Sequence, residues 1–133
     1  MSDKIGVLGE SSIATVGTTT VYTCPTSKAA KCKLMGKFKA NAAGGTVIDV
    51  FVNGLKVAHV AAMTADFYTF TVSGAGLRVA EQAAEPLGTT AALTVAPADQ
   101  IYYLSAGDTV QYAISGAAAA EANMQVVGVE IDV

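Results

Sequence analysis

Few side chains in this sequence have the types and spacing that catalysis or metal binding requires. The single histidine, His59, lies in the run KVAHVAA, whose alternation indicates a strand position with a structural or exposed role. Cys24 and Cys32 are separated by seven residues, and with one distant histidine they fall short of the three or four ligands of a zinc site. The sequence therefore predicts no metal and no cofactor.

The glycines and carboxylates also lack the pattern of an active site. The run SGAG at residues 73–76 lacks the third glycine and the following helix of a dinucleotide-binding loop, which indicates a turn. Asp99 and Asp108 could approach each other at one end of a β-sandwich, as a glycosidase pair does, but turn positions explain both. A calcium site made of loop carboxylates has no motif to support it. We therefore expect a protein that is not an enzyme.

The most regularly placed charged residues are four lysines in the segment KCKLMGKFKA, residues 31–40. Its odd positions carry the lysines and its even positions carry small and apolar residues, so a strand here has one charged and one apolar face. The charged face either is solvated and protects the strand from unwanted pairing, or contacts an acidic surface of a partner subunit. Nucleic acid is disfavoured, because aromatic residues do not alternate with the lysines. The four residues are Lys31, Lys33, Lys37 and Lys39.

Short segments with period-two alternation, separated by Gly, Pro, Asn and Asp, dominate the rest of the sequence. They predict strands and no long amphipathic helix. Residues 79–85 are expected to form a short helix or an irregular piece, and the stretch 74–100 is the candidate for a variable insertion or a subunit-contact loop. The predicted strands are 18–24, 31–40, 46–52, 55–62, 66–73, 101–104, 110–114 and 124–133, with 90–95 as an extra strand.

Two connections carry specific signals. Asn53-Gly54 separates two alternating runs, which predicts a hairpin with a type I′ turn. Pro25 ends the segment 18–24, and if this segment pairs with 31–40 as a hairpin, Cys24 and Cys32 lie near each other. They are then either two small core residues or a disulfide, and a cytosolic origin predicts free thiols.

Roughly eight short strands joined by turns predict an all-β fold, an antiparallel β-sandwich of jelly-roll or Ig-like type. The 133 residues suffice for a single domain with one core, and residues 1–12 are expected to form an N-terminal arm. Only 14% of the residues are charged and 52% are hydrophobic, which argues against disorder.

The overall composition excludes several classes of function. No apolar segment reaches the roughly 18–20 residues that span a bilayer, and the start MSDK does not resemble a secretory signal, so we expect no membrane and synthesis in the cytoplasm. The net charge of −3 disfavours a nucleic-acid binder. Trp is absent and aromatic residues make up 7%, which disfavours a sugar-binding surface, although one of Tyr102 and Tyr103 should face outwards.

The order of the segments resembles that of small bacteriophage virion proteins. The pieces TTTVYTCPTSKAAKCKLMGKFKAN, TVIDVFVNG, YYLSAGDTVQYAIS and VVGVEIDV carry the likeness, which spans residues 18–133 except 74–100. In that group a Leu-x-Ala-Gly-Asp-x-Val turn precedes a late strand, and residues 104–110 fit it. Cys24 and Cys32 stand where the group has a hydrophobic strand residue, which implies that both are core residues.

This resemblance implies a non-enzymatic virion structural protein, made in the host cytoplasm and located at the capsid surface. The favoured form is a capsid decoration (cement) protein, which binds and stabilises the shell of the major capsid protein and is commonly a homo-oligomer, often a trimer. The alternatives are a tail, baseplate or fibre module and a carbohydrate-binding or adhesion module. We expect partner contacts in the arm, in the loop 75–98 and on the lysine face, through Ile5, Val7, Leu8, Lys31, Lys33, Lys37, Lys39, Leu77 and Arg78.

Overall fold

A computed structural model of the chain describes residues 4–62, 66–73, 76–82 and 102–133. In these ranges there are ten β-strands and no helix, and therefore none that is long and apolar enough to cross a membrane. The strands are β1 (Lys4–Ser11), β2 (Gly17–Thr23), β3 (Lys28–Lys39), β4 (Thr46–Val52), β5 (Leu55–Ala62), β6 (Phe67–Ser73), β7 (Gly76–Gln82), β8 (Tyr102–Ser105), β9 (Thr109–Gly116) and β10 (Glu121–Asp132).

The strands form two antiparallel sheets. The large sheet has the order β1-β10-β3-β6-β7, and β8 pairs with the first part of β3 while β6 pairs with its last part. The small sheet has the order β2-β9-β4-β5. The predicted all-β antiparallel sandwich is therefore confirmed.

The strand order is that of a jelly roll. Strand β1 pairs with β10, β2 with β9, β3 with β6, and β4 with β5, so the chain is one long hairpin of nested pairs that is rolled into two sheets. Pairing of β10 with β3 joins two of these pairs into the large sheet, and pairing of β9 with β4 joins the other two into the small sheet. Of the two predicted architectures, this nesting fits the jelly roll rather than the Ig-like sandwich.

The core lies between the sheets and is built from the inward-facing side of each strand. Phe38 of β3 stacks on Tyr68 of β6 with ring centroids 5.1 Å apart, and it forms an edge-to-face pair with Phe70 whose ring centroids are 6.2 Å apart. Tyr112 of β9 and Ile48 of β4 face these rings from the small sheet and are almost fully buried. The alternation in the predicted segments thus marks real strands.

One possible hairpin does not form, and one expected irregular segment is a strand. Strands β2 and β3 do not form a hairpin, because β2 lies in the small sheet beside β9 while β3 lies in the large sheet beside β10. Residues 79–82 are not helical, because they belong to β7, which pairs with β6. Residues 83–101, which include the extra strand expected at 90–95 and Asp99, lie outside the described residues.

The expected N-terminal arm is a strand of the protein's own sheet over residues 4–11. Strand β1 pairs with β10 along its length, with a bulge between Val7 and Gly9. The physical reason is that β10 would otherwise present a row of unpaired backbone groups at the edge of the sheet. The far edge of β1 has no partner strand among the described residues, so β1 is itself an edge strand.

The predicted turn at Asn53-Gly54 and the core positions of both cysteines are confirmed. Asn53 and Gly54 join β4 and β5 with φ angles of 53° and 78°, the positive values that a type I′ turn requires. Cys24 and Cys32 are free and buried. Burial, with a smaller contribution from Cys24, raises the pKa of the Cys32 thiol to about 12. This thiol is therefore protonated at neutral pH.

Candidate functional site

The candidate site is the outer face of the large sheet, and its central feature is the orientation of β10. Met124 and Val126 point into the core and are almost fully buried. The residues that alternate with them further along the strand, Val127, Val129 and Ile131, point outwards and are only partly buried. The apolar stripe at the end of β10 therefore faces away from the core.

The inward side of this end of β10 carries a buried polar contact. Glu130 points inwards, is 8% exposed, and accepts a hydrogen bond of 2.6 Å from the hydroxyl of Tyr22 in the opposite sheet. Burial and this bond raise the pKa of the Tyr22 hydroxyl well above its usual value. Next to this contact, Lys28 forms an ion pair with Asp132. The inward side of this end of β10 thus carries carboxylates that are paired.

Gly128 is the remaining inward-facing position at this end of β10. A Cβ at this position would collide with the carbonyl oxygen of Lys31 on the neighbouring strand, and backbone atoms cannot move aside as the end of a side chain can. A larger residue therefore does not fit here. The end of β10 has no large apolar side chain pointing inwards, and its valines and isoleucine remain on the outside.

The outward residues of β10 continue into a surface that includes both neighbouring strands. One row across the sheet runs from Ile5 through Val129 and Lys31 to Tyr103, and the next runs from Val7 through Val127 to Lys33. Ile5 is 78% exposed, Val7 47% and Tyr103 70%. Contiguous exposed apolar side chains of this kind mark interaction sites. We call this surface the apolar face; it consists of Ile5, Val7, Tyr103, Val127, Val129 and Ile131.

Two of the predicted lysines lie within the rows of the apolar face. Lys31 is exposed, and its Nζ lies 6.0 Å from the centre of the Tyr103 ring, a cation–π distance. Lys33 is partly buried beside Val127. Lys37 and Lys39 lie at the other end of β3, where the Nζ of Lys39 is 5.2 Å from the centre of the Phe67 ring. The predicted charged side of this strand is thus the outer side of the sheet.

A polar band separates the two ends of this outer face. Glu10 accepts hydrogen bonds from the side-chain amides of Gln125, at 2.9 Å, and Asn123, at 3.2 Å. These bonds lower the pKa of the Glu10 carboxyl. Met35, between the two pairs of lysines, is buried. The apolar face therefore ends at the Glu10 side chain.

Of the predicted contact residues, one is buried and two have side chains outside the described residues. Leu8 was expected to contact a partner but is 6% exposed, because it alternates with the outward-facing Ile5 and Val7 and therefore points into the core. Leu77 and Arg78 lie on β7, and their side chains are outside the described residues. Ile5 and Val7 do point outwards.

The sequence analysis did not name Val127, Val129 and Ile131 as candidate contact residues. Their alternation shows that they share one side of a strand, and Gly128 and Glu130 between them are poor core residues. This contrast alone would place the aliphatic side in the core, so the outward orientation could not be predicted from the sequence.

A small polar cluster on the small sheet contains the single histidine. The Nδ1 of His59 lies 2.5 Å from Asp49 Oδ1 on the outer face of the small sheet, and Lys56 Nζ lies 3.7 Å from the same carboxylate. On the other side, Asp49 pairs with Ala113, which carries no nucleophile. Among the described residues no group of three or more His, Cys, Asp and Glu side chains could hold a metal ion.

The described residues also line a small cleft near Phe67. It measures about 180 Å³ and lies between Lys37, Glu121 and Asn123. Pockets for small molecules usually enclose about 300–1,000 Å³. We therefore assign the site to the apolar face and not to this cleft.

No protein-family model, curated protein or solved structure matches this chain. The resemblance to phage virion proteins therefore stays a prediction, and the function rests on the geometry of the apolar face.

Proposed function

We propose that this protein is a non-enzymatic virion structural protein, a capsid decoration protein that binds the shell of a bacteriophage through its apolar face. The observation that carries the proposal is the outward orientation of Val127, Val129 and Ile131 on β10. A partly exposed aliphatic side favours association, because covering it removes further apolar surface from water.

The binding energy comes from apolar burial on a flat sheet surface. Each square ångström of apolar surface removed from water contributes about 25 cal/mol before the costs of association. A stable interface of standard size buries about 800 Å² on each partner. Ile5, Val7 and Tyr103 extend the stripe of β10 and are the most exposed members of the apolar face.

The proposed mechanism is adhesive. A protein that binds only the assembled shell stabilises that state by mass action, because shell opening must release the bound copies. Since β-branched side chains on paired strands have few rotamers, little side-chain entropy is lost on docking. The partner in this account is the major capsid protein.

We also propose that the protein is a homo-oligomer, with a trimer favoured, and that the edge of β1 is where copies meet. Its backbone groups are unpaired on one side within the described residues, and such an edge can pair with a neighbouring chain. A trimer would present three apolar faces to the shell, which increases the apparent affinity without new contacts.

The test is to mix the purified protein with undecorated phage shells and to measure co-sedimentation and the temperature at which the shells open. We expect the wild type to sediment with the shells and to raise the opening temperature. The double variant Val127→Asp/Val129→Asp should bind at least about 100-fold more weakly, because it replaces two aliphatic contacts with carboxylates at the centre of the buried surface.

The matched control is Thr18→Asp/Ser115→Asp, which adds the same charge on the outer face of the small sheet, where both residues are exposed. This control should bind like the wild type. Absence of wild-type binding to shells would refute decoration, and sedimentation with purified tails instead would support the tail-module alternative.

A further inference from the structure

Lys31 and Lys33 differ from Lys28 and Lys56, two other lysines of the sheets. Lys28 and Lys56 form ion pairs with Asp132 and Asp49. For Lys31 and Lys33, no carboxylate of the described residues lies within ion-pair distance. These two cations are nevertheless placed in the rows of the apolar face, beside Val129 and Val127.

A surface that covers the apolar face must also cover these two ammonium groups. Moving an ammonium group out of water without a partner costs several kcal/mol, which would offset much of the gain from burying the valines. A carboxylate placed opposite each lysine removes this cost and adds charge-assisted hydrogen bonds.

We infer that the partner surface is an aliphatic patch with Asp or Glu side chains placed to pair with Lys31 and Lys33. This inference rests on the proposed function, whose partner it describes chemically. The apolar centre supplies most of the affinity, and the two ion pairs fix the register and increase the rate of association.

The charges also argue against a second copy as the occupant of this face. Two apolar faces in contact would bring lysines close to lysines, and the described part of the face carries no carboxylate. Glu10, at its border, already accepts bonds from Gln125 and Asn123. The occupant is therefore a different protein with acidic groups, while copies of this chain meet elsewhere.

The experiment measures affinity for undecorated shells as the salt concentration rises from about 50 mM to about 500 mM, a range that shortens the screening length severalfold. We compare the wild type with Lys31→Gln/Lys33→Gln. The variant should bind at least about tenfold more weakly at low salt, because two carboxylates of the partner surface lose their cations. Its affinity should also depend less on salt.

Two further variants make the result specific. Lys31→Arg/Lys33→Arg keeps both charges and should bind like the wild type, and Lys56→Gln, on the opposite face, should leave affinity and salt dependence unchanged. If Lys31→Gln/Lys33→Gln binds like the wild type at every salt concentration, the inference is wrong while decoration stands. If the wild type does not bind shells at all, both fail.

Discussion

At the scale of single residues, the contact between Tyr22 and Glu130 best explains why the aliphatic side of β10 faces outwards. A carboxylate on the inward side of β10 has to be paired, and the Tyr22 hydroxyl from the opposite sheet donates to it at 2.6 Å. The two residues are 108 positions apart in the chain. Neither this pair nor the inward orientation of Glu130 could be predicted from the sequence, because nothing local links the two positions.

We predict that Tyr22→Phe lowers the free energy of unfolding by about 2 kcal/mol, because a buried carboxylate loses its hydrogen-bond donor. The matched control is Tyr103→Phe, which removes the same hydroxyl from a side chain that is 70% exposed and should change stability little. Urea denaturation followed by circular dichroism measures both. Equal effects of the two substitutions would show that the buried bond does not stabilise the fold.

At the scale of elements, the sequence predicts most strands but not which side of each strand faces the core. The alternation in β3 was sufficient to predict which side faces the core, because lysines occupy one side and Leu34 and Phe38 the other. In β10 both sides carry valine, so alternation alone leaves the orientation open. The hairpin at Asn53-Gly54 was predictable because two adjacent residues determine it, whereas a β2–β3 hairpin was wrong because β2 pairs with β9 instead.

The orientation of β10 predicts that substitutions of two adjacent valines have different effects on stability. Val126→Ala should destabilise the protein by about 2–3 kcal/mol, because it leaves a cavity in the core. Val127→Ala should cost less than about 1 kcal/mol in the free protein, because its side chain is already partly in water. Thermal unfolding of both variants measures the difference. A larger loss for Val127→Ala would mean that β10 is oriented the other way.

At the scale of the whole molecule, the fold class was predictable and the arrangement of strands was not. Short alternating segments joined by turns indicate a sandwich, but the jelly-roll order depends on pairs such as β1 with β10, which join opposite ends of the chain. Such pairing depends on packing between distant segments. The lysine face was visible in the sequence. That it lies beside Ile5, Val7 and Tyr103 can be seen only from the register of four paired strands.

The central claim is that the outer face of the large sheet, and not that of the small sheet, contacts the partner. Lysines on both faces are natural reporters, since Lys31 and Lys33 lie in the apolar face and Lys56 lies on the small sheet. The direct measurement is brief acetylation of free and shell-bound protein, with the modified lysines quantified by mass spectrometry. We predict that binding protects Lys31 and Lys33 and leaves Lys56 as reactive as in the free protein. Protection of Lys56, with Lys31 and Lys33 unchanged, would contradict the account.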